Sequence, residues 1–192
     1  MPPPSTAAQV AADLATRLRA APARLGRVRL VTIDGPAGSG KTTLAARLSV
    51  LLDDAPVVHM DDLYEGWTGL SPDVWRRLRD GVLDPLAAGR DGGFRRYDWD
   101  AGRFAEVVPV PLSYAVVVEG VGAGAREVDG ASSLRIWVEA PRDERLARGL
   151  ERDGPALRDE WLRWADVEER HFAADGTRDR ADAVVDGTAQ NG

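Results

Sequence analysis

The sequence predicts an α/β fold. Three observations carry that expectation. Short Val- and Ile-rich runs recur along the chain with little polar alternation, as in strands covered on both faces of a parallel sheet. Stretches of helical character separate those runs, so strand and helix alternate. A glycine-rich stretch, "GPAGSGKTT" over residues 35–43, stands between the first apolar run and a helix-forming one.

The elements follow in order. Residues 7–20, "AAQVAADLATRLRA", put Val10, Leu14 and Leu18 on one face of a helix limited by Pro22, a packing helix laid outside the sheet. Residues 28–33 read as a buried strand, and 41–52 as the helix after the glycines. Further strands are expected at 56–60, 115–120, 134–140 and 182–187, giving five in a mostly parallel sheet. Helices are expected at 73–86, 142–152 and 159–172. Residues 87–104, rich in Gly and Arg, read as a loop, and 188–192 as a frayed tail.

Length and composition set bounds. The chain has 192 residues, enough for one domain with a sizeable core, and 44% hydrophobic with 29% charged residues is ordinary for a soluble protein. A net charge of -6 argues against general affinity for nucleic acid or an anionic membrane. There is no cysteine, which excludes disulfides, thiolate metal sites and cysteine nucleophiles and suits a cytoplasmic protein. No apolar run approaches a membrane span, and residues 1–8 lack the pattern of a secretory signal. His59 and His171 are single and far apart, a poor basis for a histidine metal site.

Gly35, Pro36, Ala37, Gly38, Ser39, Gly40, Lys41 and Thr42 fit the phosphate-loop pattern G-x-x-x-x-G-K-[ST], with Thr43 following. Its glycines let the chain turn tightly and converge backbone N–H groups on phosphate oxygens, beside the positive end of a helix. Lys41 is the only lysine in the chain; every other cation of this kind is arginine. An ammonium on a flexible stem follows the β- and γ-phosphates as a point charge, where the broad guanidinium fork fits a tight cradle poorly. The Thr42 hydroxyl is expected to ligate Mg²⁺. The strand–loop–helix context of the motif supports a nucleotide site, and ATP with Mg²⁺ is the expected pair.

A phosphate loop defines a nucleotide and leaves the reaction open. Asp61 and Asp62 end the second strand, where ligands of open α/β sheets bind. A carboxylate there can accept a proton from an attacking hydroxyl or hold a metal-bound water. Glu119 ends the "VVVEG" strand, the place of an acid that contacts Mg²⁺. Arg145, Arg148 and Arg152 share a helix face, which serves either as a solvated basic surface or as a phosphate contact. Trp67 and Trp99 fall in loops on the presumed acceptor side and are suited to stack on a planar substrate. Trp137, Trp161 and Trp164 read as packing residues.

These pieces, in this order over residues 28–187, resemble the uridine kinase and phosphoribulokinase branch of P-loop small-molecule kinases. Asp61-Asp62-Leu63-Tyr64 resembles the family's "D-S-F-Y", Arg95-Arg96-Tyr97-Asp98-Trp99 its "P-x-Y-D-F", and Val118-Glu119-Gly120 its "F-E-G". Residues 136–153 resemble its strand and lid helix, and Ala181-Asp182-Ala183-Val184 its late "A-D-V-I". The resemblance implies a P-loop NTPase three-layer sandwich over residues 1–192, with 7–20 an added helix and 145–158 a short helical lid. It implies an ATP- and Mg²⁺-dependent kinase with a small-molecule acceptor: Asp61 the general base and a metal-site residue beside Thr42 and Glu119, Tyr64 and Tyr97 flanking the acceptor, Arg148 and Arg152 facing phosphates. Asp98 would bind an acceptor hydroxyl or brace its loop. The family's ribose-binding Asp and pyrimidine-reading His find Leu70 and Gly102 here, and one lid arginine falls on Gly149. Phosphoryl transfer is therefore better supported than uridine as its acceptor. A nucleoside-like acceptor is expected, with a cytidylate-type monophosphate kinase or a non-kinase ATPase or switch as alternatives.

Overall fold

The computed structural model describes residues 6–188. Residues 189–192, most of the expected tail, lie outside the described residues, as do residues 1–5. The chain opens with helix α1, Ala7–Ala20, whose Thr6 and Gln9 cap its start reciprocally. Strand β1, Arg29–Asp34, leads through the glycine loop into α2, Lys41–Leu51, and then β2, Val57–His59. Helix α3, Pro72–Leu78, continues through a π-helical turn, Arg79–Leu83, into α4, Asp84–Ala87. Strands β3, Gly92–Asp98, and β4, Arg103–Val110, precede β5, Ala115–Glu119, and β6, Ser132–Glu139. Helices α5, Arg142–Asp153, and α6, Arg158–Asp175, come before the last strand, β7, Ala183–Asp186.

Five strands form one parallel sheet in the order β2-β5-β1-β6-β7. The near-continuous apolar runs have the cause expected of them. Val116 and Val118 face one apolar cluster and Ala115 and Val117 the other, so successive residues of β5 feed opposite layers. One layer contains α1 and α2, packed through Leu14, Leu18, Leu44 and Leu48. The other holds Trp75, Leu78, Leu86 and Phe94. The result is the three-layer α/β sandwich.

Two expectations are corrected. Residues 87–104 are not a loop: most of this stretch lies in the antiparallel hairpin β3–β4, which runs on to Val110. The hairpin lacks an apolar alternation because only Phe94 and Val110 among its strand residues are buried, and these anchor it to the core. The helix expected at 73–86 is broken by the π-turn. A Cβ on Gly81 would lie 2.7 Å from the carbonyl oxygen of Gly93, so the widened turn is where the hairpin backbone presses on the helix.

Candidate active site

The phosphate loop joins the buried end of β1 to the first turn of α2. Gly38 has φ +77°, and a Cβ there would meet the carbonyl oxygen of Arg145 at 2.5 Å, so only glycine fits. The loop is braced from three sides. Asp34 accepts hydrogen bonds from the backbone N–H of Gly35 at 2.7 Å, Gly122 at 3.0 Å and Gly124 at 2.8 Å. Glu168, from α6, accepts from Ala37 N at 2.8 Å and pairs with Arg145 at 3.0 Å. Arg145 also donates to the carbonyls of Ala37 and Ala140. Arg145 therefore acts on the loop as a brace. Lys41 Nζ donates to the carbonyls of Gly35 at 2.7 Å and Pro36 at 2.8 Å, which holds its charge under the loop.

Burial dominates the electrostatics here. It raises the Asp34 carboxyl to about 6, against the opposing pull of the three N–H groups and of Lys41. Burial likewise pushes Glu168 up, while Ala37 N–H, Lys41 and Arg145 hold it down.

The acids stand opposite, at the carboxyl ends of β2 and β5, where His59 and Glu119 are register partners. Glu119 is buried and accepts from the Thr42 hydroxyl at 3.0 Å. His59 Nδ1 lies 2.6 Å from the same Oε1. That hydrogen bond raises the histidine above its ordinary value, outweighing desolvation. Asp61 sits in a one-turn 3₁₀ helix, Met60–Asp62, directly after β2. Its residue surface is open to the cleft, yet protein crowds its carboxyl closely enough that desolvation, with Glu119 repulsion, raises its pKa; Lys41, Arg152 and His59 pull it back. The indole N–H of Trp99 donates to the Asp61 carbonyl at 3.2 Å, tying the hairpin to this turn.

A cavity of about 690 Å³ connects the two halves. Of the residues expected in the site, Ala37, Gly38, Gly40, Lys41, Thr42, Thr43, Asp61, Tyr64, Glu119, Arg148 and Arg152 line it. Gly35, Pro36 and Ser39 form the loop behind that wall. Arg148 donates to the carbonyls of Gly38 and Gly187 and pairs with Glu144. Arg152 pairs with Asp153 at 2.7 Å over the ring of Trp161. Tyr64 presents its ring, because its hydroxyl donates to the Val121 carbonyl. Tyr97 lies on the hairpin, packed edge-on against Trp99 and Phe104, outside the cavity lining. Asp98 accepts from the N–H groups of Asp100 and Ala101 and so braces the hairpin turn.

Four features escaped the sequence reading. Asp34 ties the loop to the distant Gly122 and Gly124, Glu168 braces it from α6, His59 joins Glu119, and Trp161 and Trp164 line the cavity as well as packing. Only His59 left a signal, its place at the end of a strand two residues before Asp61.

The fold and the phosphate-loop motif define the class, a P-loop three-layer α/β domain. Comparison with known proteins narrows the resemblance. The chain is 26% identical over 146 residues to a uridine kinase of Borrelia hermsii, across 66% of this chain and 68% of that protein, and matches one of Borrelia turicatae equally well. In structure it superposes on a possible uridine kinase from Bacillus stearothermophilus with TM-score 0.67 and 21% identity, covering 92% of this chain and 98% of that one. A putative fructose transport system kinase from Silicibacter sp. TM1040 gives TM-score 0.69 at 20% identity, over 94% and 99% of the two chains. No family model matches the chain. In sequence and fold, then, the chain is similar to the uridine-kinase-like branch of P-loop kinases.

Proposed function

We propose that the protein transfers the terminal phosphoryl group of ATP, with Mg²⁺, to a hydroxyl of a small nucleoside-like molecule. The observation that carries this reading is the common cavity of Lys41, Thr42, Glu119 and Asp61. The phosphate loop supplies converging N–H groups, a helix N-terminus and the Lys41 ammonium. Its ammonium leaves the loop carbonyls for phosphate oxygens, and Arg148 and Arg152 add charge from the proposed lid, α5 and the turn after it.

The donor chemistry suits the metal. Among the described residues no three His, Cys, Asp or Glu side chains form a metal cluster. Mg²⁺ does not ask for one, since it is held by one or two carboxylates with substrate phosphates and water. Thr42, Glu119 and Asp61 are hard oxygen donors on one cavity. The ion, when bound, neutralises phosphate charge.

Asp61 is the general base. It removes the proton from the acceptor hydroxyl as that oxygen bonds to the terminal phosphorus and ADP departs. The raised carboxyl makes it a stronger base than a solvated aspartate. A nucleotide switch would have no need of open space beside this acid, and here Asp61 borders the same cavity as Lys41. The test is ADP release across nucleosides, nucleoside monophosphates and simple alcohols, with Lys41→Ala as control. Release confined to one acceptor class and lost in the variant supports the reading; none with any acceptor would sink it.

A further inference from the structure

Four tryptophans line the cavity, Trp67, Trp99, Trp161 and Trp164, together with Tyr64. Three of them and the tyrosine form an unbroken run of ring contacts. Trp99 meets Trp67 at 5.6 Å between centroids, Trp67 meets Trp164 at 6.2 Å, and Trp164 meets Tyr64 at 5.5 Å. Trp161 and Trp164 are 6% exposed each, whereas Trp67 and Trp99 keep 37% and 43% of their surface in solvent. Large aromatic surface left open within a cleft marks a binding face.

Three polar groups of this wall are already engaged. Tyr64 donates its hydroxyl to the Val121 carbonyl, Trp99 its indole N–H to the Asp61 carbonyl, and Trp161 its indole N–H to Asp153. Asp153 is in turn engaged by Arg152. Among the described residues, Asp61 and Asp100 are the carboxylates on the lining whose side chains no such partner holds in place. The bond from Trp99 to the Asp61 backbone carbonyl ties this aromatic face to the turn that carries the proposed base.

We infer that the acceptor is a flat aromatic or heteroaromatic ring carrying a primary hydroxyl, gripped by stacking on Trp67 and Trp99, and that neighbouring sugar hydroxyls are not read. This rests on the kinase reading above and narrows it to a substrate class defined by its ring.

The experiment compares four acceptors by ADP release: uridine, 2′,3′-dideoxyuridine, 3-pyridylmethanol and methyl β-D-ribofuranoside. Uridine and its dideoxy form are expected to agree in kcat/KM within roughly threefold. The ring-free riboside is expected to fall at least about a hundredfold below uridine, and 3-pyridylmethanol to be phosphorylated. Trp67→Ala and Trp99→Ala are each expected to raise the acceptor KM roughly tenfold while the ATP KM moves less than about twofold, with Trp99→Phe recovering most of the loss. A large loss on removing the sugar hydroxyls, a riboside as good as uridine, or Trp variants with unchanged acceptor KM would each overturn the inference. Failure of the kinase reading looks different: no acceptor releases ADP above the Lys41→Ala background. The wall is then judged by tryptophan fluorescence with uridine and 3-pyridylmethanol. Saturable quenching lost in Trp67→Ala sustains ring recognition, and no quenching refutes it.

Discussion

Gly149 and Trp161 pack so closely that a Cβ on the glycine would lie 2.4 Å from Cζ2 of the indole. The indole occupies the volume that a side chain at 149 would need, in the helix that carries Arg148 and Arg152. At the position where the family resemblance sets an arginine, the indole fills the space. Gly149→Ala is expected to cost about 1–3 kcal/mol by overpacking, and Gly149→Arg to cost more and displace Trp161 from the cavity wall. Urea unfolding with near-ultraviolet circular dichroism checks both, and an unshifted midpoint would show that the contact yields freely.

Lys41→Ala and Asp61→Asn are both expected to abolish transfer, for separable reasons. The first removes charge from the phosphates and weakens ATP binding. The second leaves nucleotide affinity near wild type while kcat falls by at least roughly a hundredfold, the usual scale of a lost general base. Lys41→Arg is expected to behave like the alanine variant, because Nζ contacts two loop carbonyls in a space a guanidinium overfills. Calorimetry with ATP, beside ADP-release rates, separates these outcomes. Full activity in Asp61→Asn would remove that residue from the mechanism.

Glu168→Ala is expected to destabilise the phosphate loop from a distance. The change strands Arg145, whose side chain is 14% exposed, and leaves the Ala37 N–H without its acceptor. Breaking a buried pair from one side costs about 3 kcal/mol or more. Stability and ATP affinity should fall together, while Glu168→Gln keeps a hydrogen-bond acceptor and recovers part of both. Loss of stability with unaltered ATP affinity would show that the brace does not act on the loop.

Asp34 gives a pH prediction with a definite sign. Its carboxyl ionises near 3.8 in an unfolded chain and near 6 in the fold. Below the first value both states hold the proton. Between the two values only the folded state holds it, so stability falls as pH rises through that window. Above the second value both are ionised and the cost is constant, on the order of 3 kcal/mol. Asp34→Asn removes this term, so its stability relative to wild type is expected to improve by up to that amount from about pH 4 to pH 6. Carboxyls held low by their partners, such as Asp182, pull the other way in both proteins and cancel in the difference. Parallel wild-type and variant curves across the window would show that Asp34 does not titrate there.

The sheet was legible because its strands are covered twice over. Val116, Val117 and Val118 each have somewhere apolar to go, and a run without alternation reports that directly. The hairpin was not, because Arg95, Arg96 and Glu106 serve solvent while Phe94 and Val110, with Val108 half-buried beside them, serve the core. The phosphate loop was readable because all its parts are consecutive. Glu168 reaches it from 131 positions away and Asp34 holds Gly122 and Gly124 across 88 and 90. Such pairings exist only once the chain has folded. Trp161 and Trp164 announced burial through their helical spacing, and no local pattern distinguishes a core wall from a ligand wall.

Lys41 carries the one ε-amine in the chain, and it rests on the carbonyls of Gly35 and Pro36. An amine-directed acylating reagent thus has a single lysine to modify, located where the proposed triphosphate would dock. The rate at which the Lys41 peptide gains its adduct, mapped apart from any α-amine adduct, becomes a direct gauge of occupancy, with no introduced label and no neighbouring lysine to confuse the count.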